Sequence, residues 1–215
     1  IGIQADQKII LGSGKVLVRY NTDGSLDTSF GAGGTVVVPS REIWALKIEV
    51  STGKIVLAAN TYNGNNNLIV VRFNPSGDLD LSFNTTGTKI LKTTSPSTFT
   101  GVLGLTDLAI DDSSGKISIV GYANVLAGIS FFSYGLAYRL NANGSWDSSF
   151  SGDGIGGYVA STYTMLLKPD NSIIGAGAQD SNIFMYMINP NGTNSPTNVF
   201  SSIPDLTAKY LKQDS

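Results

Sequence analysis

Neither cysteine nor histidine occurs anywhere in the 215 residues. Without cysteine there are no disulfides, no thiolate metal ligands and no thiol nucleophile. Without histidine, the Ser-His-Asp constellation, the imidazole general base and nearly all zinc and iron ligand sets are lost together. Charge is scarce as well. Charged residues make up 14% of the chain against 41% apolar, and glutamate occurs only at Glu42 and Glu49. Fourteen basic and sixteen acidic residues leave a net charge of −2. No basic cluster of the kind a phosphate backbone requires is present, so nucleic acid is not an expected partner. No apolar run approaches the ~18 residues of a membrane span. The chain opens on Ile1 rather than Met, which reads as a leader or upstream segment removed or left out.

What is present is glycine (25 residues) with Ser, Thr and Asn, and between them short β-branched runs. "KIILG", "VLVRY", "TVVV" and "LKIEV" have the length and composition of strands. Amphipathic helical periodicity is hard to find anywhere. A chain of this length buries a real core, as one large domain or two small ones.

The chain also repeats itself. Four segments align without gaps: "VRYNTDGSLDTSF" (18–30), "VRFNPSGDLDLSF" (71–83), "YRLNANGSWDSSF" (138–150) and "YMINPNGTNSPTN" (186–198). Their central glycines are Gly24, Gly77, Gly144 and Gly192, so the spacing is 53, 67 and 48 residues. A second landmark precedes each: "DQKIILGSG", "TGKIVLAAN", "SGKISIVGY" and "DNSIIGAGA". Four short strands per unit of this size predict an all-β, β-propeller-type array of four-stranded antiparallel blades, about four in number. One four-stranded sheet cannot cover both of its faces, so blades stack on one another. A β-sandwich is the rival reading, but it leaves the in-phase recurrence of near-identical turns unexplained. Residues 1–215 are therefore read as a single β-propeller repeat region. Both ends fall at the same phase of the repeat, which fits either a small ring closed by its termini or part of a longer ring. The fragment of a larger propeller is the expectation.

The "NxDGSLDxSFGxxG" block behind a "DGKIxxxG" strand resembles the delta-60 repeat family of bacterial repeats. The first three units match well and the fourth has drifted. The resemblance implies β-propeller blades and a secreted or surface-attached bacterial protein. It implies no catalytic mechanism and supplies no site residues to carry over.

"RYNTDGSLDTSF" first suggests a calcium loop, with Asn21, Asp23 and Asp27 as oxygen donors around Gly24. In an EF-hand register, however, Arg19 and Phe30 occupy the first and last ligand positions. Asp23 is replaced by Ser76, Asn143 and Asn191 in the other units. A structural reading explains more: Asp-Gly and Asn-Gly steps supply tight turns. Asp27, Asp80 and Asp147, each followed by a Ser or Thr and then Phe30, Phe83 or Phe150, suit a short capped turn with a plug between blades. Arg19, Arg72 and Arg139 lie eight residues before those aspartates, and in the fourth unit both positions change together, to Met187 and Ser195. That covariation predicts an Arg–Asp ion pair within each of the first three blades, since losing one partner alone costs ~3–5 kcal/mol.

The remaining motifs are weaker. "GDGIGG" (152–157) matches G-x-G-x-x-G, but a strand-like run follows where a dinucleotide site needs a helix. Asn84, Asn143 and Asn191 head Asn-x-Ser/Thr triplets that turn composition explains. Glu42, Glu49 and the aspartates show no spacing that assigns an acid–base pair. No catalytic, cofactor or metal residue is assigned, and the binding residues are left open. Extra length in 88–106 and 122–135 marks candidate binding loops, with Phe99, Phe131 and Phe132 as aromatic candidates, the last two reading rather as core by their alternation along a buried strand, and 61–69 as a polar hairpin tip. The expected function is a non-catalytic extracellular or cell-surface scaffold that binds protein or glycan at a propeller face or long loop. The alternative is a carboxylate-dependent glycan hydrolase or lyase at the propeller axis.

Overall fold

The structure, a computed structural model, describes residues 1–40, 42–61, 68–91, 103–127, 130–158, 161–179 and 182–194. These residues form fifteen strands in four antiparallel sheets, with no helix among them. The first sheet holds β1 (Gly2–Ile3), β2 (Ile9–Ser13), β3 (Val16–Tyr20) and β4 (Thr35–Val37). The second holds β5 (Glu42–Ile48), β6 (Ile55–Asn60), β7 (Leu68–Phe73) and β8 (Thr88–Ile90). The third holds β9 (Leu103–Asp111), β10 (Lys116–Ala127), β11 (Ser130–Leu140) and β12 (Ile155–Tyr158). The fourth holds β13 (Ser161–Leu167), β14 (Ile173–Gln179) and β15 (Asn182–Ile188). Every strand pairs with its sequence neighbours, an up-and-down meander repeated four times. The expected four-strand blade is complete in three sheets. The segment that would supply the last strand of the fourth lies outside the described residues.

Two compact units result. The first contains the first two sheets together with two short turns, Asp112–Gly115 and Ala142–Ser145, and the second contains the other two sheets. In the first unit the sheets pack face to face. Ile10, Leu17, Phe30 and Val36 meet Leu46, Ile55, Leu57, Ile69, Val71 and Phe73. β6 and β7 are buried on both faces, which is why "IVLAAN" and "LIVVRF" read as unbroken apolar runs without alternation. In the second unit Val120, Ala137 and Phe150 pack on Ile173 and Ile188, with Met165, Leu167 and Tyr186 at the margin.

Within each unit the opening strands approach one another: β1 and β2 pack against β5 in the first, β9 and β10 against β13 in the second. An irregularity recurs in three of these opening strands, where Trp44, Thr106 and Tyr163 stand unopposed in the ladder. Bulges of this kind bend a strand and re-aim its side chains. Of the additional length at 122–135, expected as a binding loop, residues 122–127 and 130–135 are strand. β10 and β11 run to 12 and 11 residues, against five each for β2 and β3. Their pairing continues from Ile117↔Leu140 to Ala127↔Ser130. Phe131 and Phe132 lie in that extension, but their side chains lie outside the described residues, as do Phe99 and residues 62–67. Among the described residues no helix is long and apolar enough to cross a membrane.

Candidate functional site

The best-defined polar constellation is one that the repeat builds three times. At the end of β3, β7, β11 and β15 the chain makes an Asn-x-x-Gly turn, and the first three of these carry the constellation. The glycine amide donates to the asparagine carbonyl at 3.0 Å in the first turn and 2.9 Å in the second. These glycines have φ of +84° (Gly24), +98° (Gly77), +82° (Gly144) and +83° (Gly192), the left-handed region that L side chains avoid. The chain then returns beside the strand end, and Asp27, Asp80 and Asp147 each donate their amide to the carbonyl of Arg19, Arg72 or Arg139. Next comes a capped turn. The Asp147 carboxylate accepts the amide of Ser149 at 3.1 Å and its hydroxyl at 2.6 Å, and Asp27–Ser29 and Asp80–Ser82 do the same.

The predicted ion pairs form in all three sheets. Arginine Nε lies 2.7 Å from Asp27 Oδ2, 2.6 Å from Asp80 Oδ2 and 2.7 Å from Asp147 Oδ2. Both partners are buried each time. A third member was not foreseen. Lys8, Lys54 and Lys116 bring Nζ to within 2.9, 2.9 and 3.0 Å of the same carboxylate oxygen. The signal existed in the sequence, because these are the lysines of the "QK" and "GK" landmarks, and the fourth unit has Ser172 there. Lysine, arginine and aspartate thus change together in that unit. Ser172 and Met187 are described, and Ser195 lies outside the described residues.

The arginine then reaches the next repeat. Arg19 donates to the carbonyl of Pro75 at 2.6 Å, Arg72 to that of Ala142 at 2.6 Å, and Arg139 to that of Pro190. These acceptors are equivalent positions in the following Asn-x-x-Gly turns. A second bond runs beside each: the amides of Gly31, Asn84 and Ser151 donate to the carbonyls of Ser76, Asn143 and Asn191. The guanidinium also stacks on the phenylalanine that closes its own motif, 4.6, 4.7 and 4.5 Å from the ring centroids of Phe30, Phe83 and Phe150. These phenylalanines are fully buried, and such stacking adds ~2 kcal/mol when desolvated. Each assembly is a latch: lysine and aspartate orient an arginine, and the arginine and its phenylalanine hold the next turn.

The carboxylates respond accordingly. The Ser29 hydroxyl, then Lys8, hold Asp27 well below the usual carboxylate range against a small opposing effect of burial. For Asp80 burial pulls upward most strongly, but Ser82, Lys54 and Arg72 together outweigh it. Burial also pulls Asp147 up, yet Ser149 and Lys116 bring it down to about 2. All three stay ionised, with their oxygens already committed to partners. That suits a fastener and leaves no proton-transfer role.

Residues 4–30 and 51–83 match the family model described as Domain of unknown function (DUF5122) beta-propeller. This chain is built of β-propeller repeats. Each matched stretch contains one complete latch and ends on its phenylalanine, Phe30 or Phe83. The third blade lies outside the match and carries the same geometry. No curated protein matches the chain.

The other motifs fall into the blade framework. Asp23 Oδ1 accepts the amide and hydroxyl of Ser25, so the residue that suggested calcium shapes its own turn. Gly154 of "GDGIGG" accepts from the Arg139 amide and donates to the Phe150 carbonyl, as Gly34 and Gly87 do at the equivalent positions. Its sequel is the strand β12. Asn84 donates its side-chain amide to the Thr88 carbonyl, while Asn143 and Asn191 accept from Ser145 and Thr193, so all three triplets form turns. Glu49 is buried and accepts the Thr52 hydroxyl at 2.5 Å, whereas Glu42 is exposed at the start of β5.

Proposed function

We propose that this chain is a non-catalytic scaffold of delta-60-type blades, displayed outside a bacterial cell, which presents its variable connections to a protein or glycan. The observation that carries the reading is a division of labour within each blade. The Lys–Asp–Arg–Phe latch is the same in the first three blades and gathers at the strand ends nearest the Asn-x-x-Gly turns. Length varies at the opposite ends, where β6 joins β7, β8 leads to β9, and the β10–β11 hairpin is extended. Repeat scaffolds bind through such variable connections. The hairpin gives the third blade about twice the strand length of the first, so it is the element to which partner contact is assigned. A composition low in charge and rich in Ser, Thr, Asn and Gly supports an extracellular setting. Against an acid–base reaction stands the commitment of the three repeat aspartates to ion pairs.

The test compares the full chain with a variant in which residues 122–135 are replaced by a two-residue Asn-Gly turn. Both are probed on a glycan array and against purified surface proteins of the source organism. Binding by the full chain that the shortened variant loses, at unchanged thermal stability, supports the proposal. Hydrolysis or elimination of a polysaccharide by the full chain would replace it with the enzymatic reading.

A further inference from the structure

At the end of the second blade opposite its Asn-x-x-Gly turn, the fold leaves a group of polar side chains unanswered. Among the described residues, seven side-chain nitrogen and oxygen atoms are shielded from solvent and have no hydrogen-bond partner. Four of them, Ser40 Oγ, Trp44 Nε1, Asn60 Oδ1 and Thr61 Oγ1, sit where β5 begins and β6 ends. The others, on Ser118, Tyr138 and Asn171, are scattered over the third and fourth blades. Asn60 is only 8% exposed, and the ladder shows why its own sheet gives it no donor. It stands between Glu42 on β5 and Leu68 on β7, and directly opposed residues share one face of a sheet. A leucine offers nothing to an amide oxygen, and a carboxylate accepts without donating. Ile43, Leu57 and Ala59 on the opposite face pack into the core with the first sheet, so Glu42 and Asn60 face away from that core.

Other blades answer the same positions. Thr106 and Tyr163 occupy the bulges of their strands as Trp44 does. Thr106 donates its hydroxyl to the carbonyls of Val120 and Thr162, and Tyr163 is 42% exposed to water. Trp44 has neither outlet: its indole N–H, which can only donate, is shielded although the residue as a whole is half-buried. Counted along the second strand of each blade, the place of Asn60 is taken by Gly14, Tyr122 and Ala178. The cluster is thus a departure of one blade from the repeat. Shielded polar groups without partners carry a desolvation cost, and departures from local consistency concentrate at functional sites.

We propose that Ser40, Glu42, Trp44, Asn60 and Thr61 form a binding site for a neutral saccharide. This rests on the reading that the variable blade ends make partner contacts, and it adds a ligand class and a place. The donor and acceptor inventory selects the class. The indole supplies a donor, the Asn60 oxygen and the exposed Glu42 carboxylate supply acceptors, and the two hydroxyls serve as either. A sugar hydroxyl both donates and accepts, so neighbouring hydroxyls of one ring answer such a mixed set. The indole adds an apolar body beside its polar edge, which suits the C–H face of a pyranose ring, and its bulge is a device that re-aims a side chain. Aromatic surface with a few convergent polar groups is how ligand sites are built. Ser40, Trp44 and Thr61 are half-buried, so rotamer changes of the kind common on binding bring their polar atoms to the ligand. An extended peptide is a poorer occupant, because strand addition uses backbone donors and acceptors, whereas the unanswered groups are all side chains.

The chain has two tryptophans, so Trp146→Phe leaves Trp44 as the single fluorescent reporter. This variant of the full chain is titrated with neutral oligosaccharides of hexose and of N-acetylhexosamine while Trp44 emission is followed. A saturable change with at least one of them is the expected result. Asn60→Leu, close in volume, weakens that binding about tenfold or more and leaves Tm unchanged or raised, because it removes a polar atom that has no partner in the free protein. Thr61→Val acts in the same direction. A purely structural role for these groups gives the opposite pattern, a lower Tm with unaltered binding, and overturns the proposal. So does the absence of a response to every oligosaccharide, or the loss through Asn60→Leu of a peptide ligand in place of a sugar. Replacing residues 122–135 by Asn-Gly leaves the saccharide affinity unchanged if the site is at Asn60. If sugar binding is lost with that hairpin and survives Asn60→Leu, the site at Asn60 fails while the broader reading stands.

Discussion

The latch of the second blade can be dismantled in two ways, and the two differ in a measurable direction. Asp80→Ser removes the shared carboxylate and leaves the Arg72 guanidinium buried beside Phe83 with its Nε uncompensated. Breaking a buried pair from one side costs ~3–5 kcal/mol. Lys54 contributes less to this loss, because its side chain is a quarter exposed and can turn to water. At ~2–4 °C per kcal/mol for a chain of this size, Tm falls by ~6–20 °C. The triple substitution Lys54→Ser, Arg72→Met, Asp80→Ser installs what the fourth repeat carries. It also sacrifices the bond to the Ala142 carbonyl and the stacking on Phe83, yet it leaves no buried charge. Replacing a complete buried ion pair by apolar groups is often neutral or better, so the triple variant should be at least ~1 kcal/mol more stable than Asp80→Ser alone, despite carrying two more changes. Urea and thermal denaturation of the three proteins decide the matter. If the triple variant is less stable than Asp80→Ser by the sum of its parts, the covariation at Ser172, Met187 and Ser195 has no electrostatic basis and the latch reasoning fails.

Glycine substitutions separate turn conformation from latch contact. Gly24→Ala, in open space, should cost only the ~1–2 kcal/mol of a left-handed alanine. Gly77→Ala, with a φ of +98° and Phe30 and Val36 in its way, should cost ~1–3 kcal/mol more from overpacking; equal losses in Tm would count against the docked turn. Acid should act through the latches. Asp147 sits at about 2 against an ordinary 3.8, and Asp80 is lowered as well, so their stabilisation is fully present above pH ~4 and disappears as pH falls toward 2. A Tm that is flat between pH 5 and 8 and drops steeply below ~4, less steeply in the triple variant, is the expected profile; a midpoint near neutrality would contradict it. Millimolar calcium should leave Tm unchanged, since the Asp23 and Asp27 carboxylates are already engaged with Ser25, Ser29, Lys8 and Arg19; a clear calcium-dependent rise would reopen the ligand reading.

The sequence by itself determined the repeat, its turn glycines and its all-β character, because these rest on local requirements. A positive φ calls for glycine whatever surrounds it, and short β-branched runs between turn clusters leave little choice of element. It also determined the Arg–Asp pairing, since covariation in the fourth unit exposes a pair whose members cannot change singly without stranding a charge. The lysine completing each latch was visible in the same comparison, but nothing local connects Lys54 to Asp80, which lie 26 residues apart. Only the pairing of β6 with β7 sets the lysine beside the arginine's carboxylate. Tertiary structure alone decided that each arginine serves two masters, its own aspartate and the next turn's carbonyl, because that contact depends on how one blade stacks on another. It likewise decided that the extra length at 122–127 and 130–135 is strand: the pairing of β10 with β11 continues the ladder as far as Ala127↔Ser130. The contrast between bare Gly24 and covered Gly77 also lies beyond the sequence, for the two turns are nearly identical locally and differ only in what packs against them.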